Sequence, residues 1–394
     1  MSQKNLATIP TPTEMFKDAF RHFTTDCRDF VDKVAEYELN DKYTRAKISD
    51  LTVLPLVDVE DEMDANFPPY LEEAVADTLS NLQLGISFTD ADGIDYTLPL
   101  RETAKKSLLD RAKISGASLE RLSRAQLCTV LNMCYRLYSN SSTLIYVNNN
   151  KIAAVLSGDS KDFSVLPLNS LLKALHDKFD ELSFKFRFVD GYIDHYYCYS
   201  RYEILDGDLL DSYKEALKAH NIHFNSGNMK AAVQFSSSNV GMSTAKVSSF
   251  IKTDNHFLPL GTACFTPHRG GKNIDDFREN LKGMFGSYQE ALLNLTKLMD
   301  IKLQYPVDVM TKICQKLKYP REQSIEAIRL FESYAGKGTT AYDVYCALGE
   351  VLFNCTASKV AETKTLIYSE DLPKVLGFSE KEWNKLDSPL KFSW

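Results

Sequence analysis

Apolar residues recur at near-helical spacing at the start of the chain and alternate with polar residues further on. The first pattern predicts a capped amphipathic helix over residues 14–38, with apolar positions at Phe16, Phe20, Phe23, Phe30, Val34 and Tyr37. Residues 49–59 predict a strand that ends in acidic residues, and a helix is expected after Pro69. Residues 84–88 and 94–98 predict a hairpin around a Thr-Asp-Ala-Asp-Gly loop.

The next part of the chain predicts helices followed by antiparallel strands. Helices are expected at residues 101–113, 118–138 and 168–178, and in the second of these the apolar positions fall on one face. Strands are expected at residues 143–147 and 151–157. Three asparagines join these strands, and asparagine tolerates the positive φ of a tight turn.

The longest strand signal lies in residues 182–189 and 192–205, which flank Asp190-Gly191. This dipeptide is typical of a two-residue hairpin turn. Alternation in the first strand separates Lys185 and Arg187 from Phe184, Phe186 and Phe188. In the second strand, one face carries His195, Tyr197, Tyr199 and Arg201. The pattern favours a sheet that presents cations and tyrosines outward, and the alternative is that both faces are covered.

The remaining elements complete a mixed fold. Residues 229–235, 245–251 and 256–260 predict strands, residues 208–220 predict a helix, and the chain from Ile274 onward is almost wholly helical. We therefore expect an α+β fold with a central antiparallel β-hairpin sheet and packed helices.

Chain length and pattern together predict three units. They are an acidic N-terminal α/β unit over residues 1–98, a central α+β domain over residues 99–270 and a helical C-terminal region over residues 271–394.

Composition and charge narrow the class of protein. Apolar residues make up 44% and charged residues 25%, as in folded proteins, so long disordered segments are not expected. Net charge is −7, and residues 1–100 alone carry −12, which leaves the rest mildly basic. Eight scattered cysteines without a CxxC pair predict free thiols in a reducing compartment. No uncharged apolar run is long enough for a membrane span, so we expect a cytoplasmic protein.

Motifs for catalysis, metals and nucleotides are absent from the sequence. Residues 335–340 and 268–273 are glycine-rich, but neither has the spacing of a phosphate-binding Walker A loop. The second stretch places His268, Arg269 and Lys272 around two glycines and could contact a phosphate backbone. The pattern predicts a non-enzymatic protein without a cofactor. The alternative is a site assembled in space from groups such as His195, His223 or Asp194.

Several segments between residues 95 and 355 resemble one known family. They are Ile152–Ser157 followed by Leu168-Asn169, Ser237–Gly241, Cys264 through His268-Arg269-Gly270, and Thr340–Leu348. With these segments the chain resembles the phage/plasmid-like protein family, a bacterial and prophage family built on domain of unknown function 932. It departs from that family in lacking a Cys-x-Asn-Gly around Cys264 and a Tyr after Ser157. The resemblance implies a phage, prophage or plasmid origin and supplies no catalytic residues.

Aromatic side chains beside cations are typical of surfaces that bind single-stranded nucleic acid. We therefore expect an accessory protein of a mobile element that binds or anneals single strands through Lys185, Arg187, Tyr197, Tyr199, Arg201, His268, Arg269 and Lys272. A homo-oligomer would be natural for an annealing protein, and no membrane partner is expected. The alternative is a protein-binding factor, a host-defence inhibitor or an assembly component, that docks through the acidic N-terminal unit.

Overall fold

Antiparallel strands form the centre of the fold. The computed structural model describes residues 20–55, 84–138, 141–158, 162–182, 185–205, 207–222, 229–253, 257–358 and 362–390. These ranges contain twelve α-helices and several antiparallel sheets, so the predicted α+β fold is confirmed.

The strands are β1 (Arg21–Thr24), β2 (Lys42–Lys47), β3 (Thr52–Pro55), β4 (Leu84–Thr89), β5 (Asp95–Pro99), β6 (Ser142–Asn148), β7 (Lys151–Ser157), β8 (Phe186–Asp194), β9 (Cys198–Ile204), β10 (Lys230–Ser237), β11 (Ala245–Lys252) and β12 (Phe257–Thr266). The largest sheet has the order β1-β8-β9-β10-β11-β12, and two smaller sheets have the orders β2-β6-β7 and β3-β4-β5.

The helices are α1 (Cys27–Glu38), α2 (Ala104–Ala112), α3 (Arg124–Arg136), α4 (Leu168–Glu181), α5 (Asp211–Ala219), α6 (Ile274–Leu281), α7 (Met284–Lys297), α8 (Pro306–Lys316), α9 (Arg321–Glu332), α10 (Ala341–Ala357), α11 (Glu362–Asp371) and α12 (Glu380–Leu386). Seven of them begin at or after Ile274, as the sequence pattern predicts.

The main core lies between one face of the six-stranded sheet and helices α4, α6 and α7. Phe179 of α4 stacks on Phe186 at 3.6 Å between ring centroids, and Phe277 of α6 meets Phe235 edge-on at 6.1 Å. The hydroxyl of Tyr288 donates a hydrogen bond to the Phe250 carbonyl from α7. Phe186 and Phe188 of the predicted phenylalanine face therefore pack against the core, as their alternation predicts.

The predicted helix over residues 14–38 is wrong over residues 20–26. Residues 21–24 form β1, which pairs with β8, and α1 begins only at Cys27. The Asp26 side chain accepts a hydrogen bond from the Asp29 amide at 2.9 Å and so fixes the start of the helix there. Residues 14–19 lie outside the described residues.

The predicted turn at Asp190-Gly191 is also wrong. Strand β8 continues through both residues, and the turn lies at residues 194–197, where the Asp194 amide donates to the Tyr197 carbonyl at 2.9 Å. The Asp194 carboxylate accepts hydrogen bonds from the Tyr196 and Tyr197 amides, both at 2.7 Å, and stabilises this turn. Gly191 instead packs against the ring of Phe30, where an added Cβ would lie only 2.5 Å from a ring carbon.

Two predicted hairpins are confirmed. Strands β4 and β5 pair around residues 90–94, and β6 and β7 pair around Asn149 and Asn150. These two asparagines have φ of 49° and 59°, the left-handed conformation that their residue type tolerates.

Strands from before residue 98, the predicted end of the N-terminal unit, pair with strands from after it. Strand β1 joins β8, and β2 joins β6, so residues 20–47 belong to sheets that residues after 140 complete. The Glu38 carboxylate also accepts hydrogen bonds from the Leu168 and Asn169 amides at 2.7 and 2.9 Å. It thereby caps α4, because the N-cap residue Pro167 has no side chain that can accept a hydrogen bond. The three-unit division stays a prediction.

The end of the predicted strand over residues 49–59, the acidic run and the helix after Pro69 lie outside the described residues.

Candidate functional site

The face of the six-stranded sheet that points away from the main core carries polar residues, and we call it the polar face. Its polar residues include Arg187, Asp190, Arg201, Glu203 and Gln234. Three of the predicted site residues, Arg187, Tyr199 and Arg201, lie on it. Tyr199 and Arg201 are half-buried, and with residues of α10 and α11 they line a cavity. Part of the polar face is therefore covered, whereas the Arg187 side chain at its end is 61% exposed.

Arg201 is neutralised by a carboxylate of the same face. Its Nε and Nη2 donate to the two oxygens of Asp190, both at 2.6 Å, in a bidentate ion pair. Its guanidinium also lies over the ring of Phe257, 4.4 Å from the centroid. A phosphate would have to displace Asp190 to bind this guanidinium.

Glu203 neutralises two further cations at the end of the polar face. Only 1% of its side chain is exposed, and it pairs with both Arg187 and Lys252. Burial by itself would raise the pKa of Glu203, but the hydrogen bonds from Lys252 and Arg187 hold that pKa below its usual value. The carboxylate therefore stays ionised beside both cations.

Tyr197 and Lys185 do not lie on the polar face, where the sequence pattern predicts a binding surface. Tyr197 is buried in the turn between β8 and β9, and burial raises its pKa to about 12. Lys185 is exposed just before β8, and its carbonyl accepts a hydrogen bond from the Leu205 amide. Phe184 lies outside the described residues. Neither Tyr197 nor Lys185 joins Tyr199 and Arg201 in a common binding surface.

His268 is a buried structural residue and not a phosphate-binding cation. Its Nε2 lies 3.1 Å from Ser237 Oγ and its Nδ1 lies 3.1 Å from the Ser164 carbonyl, while its ring stacks on Phe163. Burial lowers the pKa of His268 to about 4, although the hydrogen bond to the Ser164 carbonyl opposes the shift. The imidazole is therefore uncharged at neutral pH, which corrects the prediction.

Lys272 forms an ion pair with a residue of the capping box at the start of α6. Its Nζ lies 2.8 Å from Asp276, which also accepts from the Asn273 amide in a capping box. The glycines before it, Gly270 and Gly271, adopt φ of 76° and 70°, which turns the chain from β12 into this helix.

Arg269, unlike His268 and Lys272, lines an open groove of about 490 Å³. Lys106 and Arg111 line the same groove, and we call it the basic groove. Helix α2 supplies Lys106 and Arg111, and the segment after β12 supplies Arg269. Within the described part of the chain, none of these three cations forms a salt bridge with a carboxylate. Asp110 and Asp162 also line the groove and leave it a small positive balance.

An apolar rim accompanies these cations. Phe265 on the edge strand β12 is 57% exposed and lines the basic groove together with Met242, which is 42% exposed. Exposed aromatic rings beside cations are suited to stacking on unpaired bases. The sequence-based prediction does not include Lys106, Arg111 and Phe265. Lys106 and Arg111 lie in α2, far from Arg269 in the chain, so no local pattern relates them to it.

Two residues of the alternative catalytic site lie in the turn between β8 and β9. Asp194 stabilises the turn at residues 194–197, and His195 is buried with its Nδ1 3.2 Å from the Tyr37 hydroxyl. Neither residue lines the basic groove or the cavity under α10 and α11. His223 lies outside the described residues.

Metal ligands do not cluster in the described ranges, where no group of three His, Cys, Asp or Glu side chains could hold an ion. None of the eight cysteines, all of which lie in the described ranges, forms a disulfide bond. The helices within those ranges are each too short or too polar to cross a bilayer. Comparison with protein-family models, curated proteins and solved structures found no match to this chain.

Proposed function

We propose that this protein binds single-stranded nucleic acid along the basic groove and not across the central sheet. The observation that carries the proposal is the difference in pairing among cations. Arg187, Arg201 and Lys272 each bind a carboxylate, whereas Arg269 and Lys106 of the groove form no salt bridge with a carboxylate of the described residues. Affinity for a phosphate backbone comes largely from cations that are available to neutralise it.

Phe265 supports a single strand as the ligand. A base can stack on an exposed ring only when it is unpaired, and such stacking contributes about 1–3 kcal/mol per base. The exposed ring lies in the same groove as the cations, so one strand could meet both. The proposal includes a non-enzymatic accessory role in a phage, prophage or plasmid, as the family resemblance implies.

The net charge of the chain limits this binding. Residues 1–100 carry −12, and the whole chain carries −7, so long-range attraction to a polyanion is weak. We expect binding that depends on a few local contacts and that falls as salt rises. The rival protein-docking role depends on the acidic N-terminal unit of residues 1–98, whose acidic run at residues 58–62 lies outside the described residues.

Replacement of Arg269 tests the proposal. We expect Arg269→Gln to weaken binding of fluorescein-labelled oligo(dT) about three- to tenfold, because it removes one charge-assisted phosphate contact. Fluorescence polarisation at low salt measures the affinity. The matched control is Lys272→Gln, which removes a nearby exposed cation that Asp276 already neutralises. Equal losses in the two variants, or no binding by the unmodified protein, would contradict the proposal.

A further inference from the structure

A cavity of about 400 Å³ lies between the polar face and helices α10 and α11. Its size falls within the range of small-molecule sites, which is roughly 300–1,000 Å³. The basic groove and this cavity share no lining residue. Most of its wall is apolar, with Phe250, Phe257, Leu352, Phe353 and Leu366.

Gln234 is the unusual residue of this cavity. Its side chain is 5% exposed and lines the cavity from the middle of β10. No described residue hydrogen-bonds its amide group. An amide of this kind offers one acceptor and two donors. Its oxygen and nitrogen are accessible from the cavity, so they can pair with a ligand that enters it.

Other polar groups of the wall already have partners. The Thr356 hydroxyl donates to the Leu352 carbonyl at 3.0 Å, and the Ser369 hydroxyl donates to the Leu366 carbonyl at 2.7 Å. Arg201, the cation of this wall, is held by the bidentate pair with Asp190. The described lining therefore offers no unpaired charge, and an ionised ligand would lose its hydration without compensation.

We propose that the cavity binds a neutral, planar aromatic molecule that carries an amide-like edge, a hydrogen-bond donor next to an acceptor. The ring would pack among the aromatic side chains of the wall, and the edge would pair with the Gln234 amide. Aromatic packing would supply most of the affinity, and the paired amide would fix the orientation of the ligand in the cavity. This inference does not rest on the proposed binding of nucleic acid in the basic groove.

Replacement of Gln234 by leucine tests the site with defined probes. Isothermal titration with nicotinamide and with uridine should show binding of at least one of them to the full chain. Gln234→Leu should weaken that binding about tenfold or more, because the paired edge is worth at least 1.4 kcal/mol. Toluene, which fits the apolar wall but lacks the edge, should bind both proteins alike.

The matched control is Gln289→Leu, which replaces an exposed glutamine of α7 on the opposite side of the sheet and should leave the affinity unchanged. Equal binding of the probe to the Gln234→Leu protein would overturn the proposal, as would the absence of binding by either probe up to its solubility limit.

Stability without a probe gives a second, independent readout. Gln234→Leu should melt at the same temperature as the unmodified protein or higher, because no hydrogen bond to a described residue is lost and leucine has a similar volume. A clearly lower melting temperature would mean that the amide already has a partner, and that result also overturns the proposal.

Discussion

Arg201 and Arg269 carry the same charge, but their neighbours give them different chemistry. Arg201 is fixed between Asp190 and the ring of Phe257, so its donors are occupied. Arg269 is exposed in the basic groove, where no described carboxylate pairs with it. His268, the residue before it, is buried between Ser237 and Ser164 and belongs to the fold. Neighbouring positions in the chain therefore have unrelated roles.

The buried imidazole of His268 should make stability depend on pH. Its pKa in the folded protein is about 4, and that of an unfolded histidine is about 6.5. Between these values the unfolded state binds more protons, so the free energy of unfolding falls as the pH decreases from 6.5 to 4. The largest loss from this group is about 3 kcal/mol.

Thermal melts between pH 7.5 and pH 5 measure this effect. The decline in melting temperature should be smaller in His268→Gln than in the unmodified protein, although the variant starts less stable because it loses the stack on Phe163. His220→Gln, at an exposed position, is the control and should keep the full decline. An unchanged pH dependence in His268→Gln would rule out this histidine as the cause.

Among the elements, β8 depends on close packing against α1. Gly191 keeps an extended backbone within the strand, and the space of a side chain is taken by the Phe30 ring. Bulges interrupt the pairing of β8 with β9 between Phe188 and Asp190. That irregularity moves Asp190 onto the same face as Arg201 and makes their ion pair possible.

Gly191→Ala should therefore destabilise the protein by about 1–3 kcal/mol, because the new methyl group overlaps the Phe30 ring. Urea unfolding followed by circular dichroism measures the change. The control is Gly286→Ala in α7, where an added Cβ meets nothing within 4 Å and should stabilise the helix by about 0.5–1 kcal/mol. Similar effects of the two substitutions would show that Phe30 does not restrict position 191.

At the scale of the molecule, the cations of the central sheet are neutralised and those of the basic groove are not. The sheet cations pair with Asp190 and Glu203, and the first hundred residues are strongly acidic. In the described residues, Lys106, Arg111 and Arg269 of the basic groove form no salt bridge with a carboxylate. A polyanion should therefore meet a small number of cations, and the salt dependence of its binding reports that number.

We expect the logarithm of the affinity for oligo(dT) to fall with the logarithm of the salt concentration at a slope of about −2, since each neutralised phosphate of a single strand contributes roughly −0.7. The double substitution Lys106→Gln with Arg269→Gln should reduce the slope to roughly −0.7, because only Arg111 remains. Fluorescence polarisation over a salt series gives both values. A slope that the double substitution leaves unchanged would place the phosphate contacts elsewhere.

Local patterns in the sequence determined most helices, the tight turn at Asn149 and Asn150 and the packing of the phenylalanine face against the core, because these depend on periodicity and residue type. They could not determine the turn after β8, since Gly191 serves a contact with Phe30 from a distant helix. Nor could they show which cations are neutralised. Tertiary structure alone decided that Arg201 meets Asp190, that Arg269 joins Lys106, and that Gln234 faces a cavity, because each depends on elements brought together from far apart in the chain.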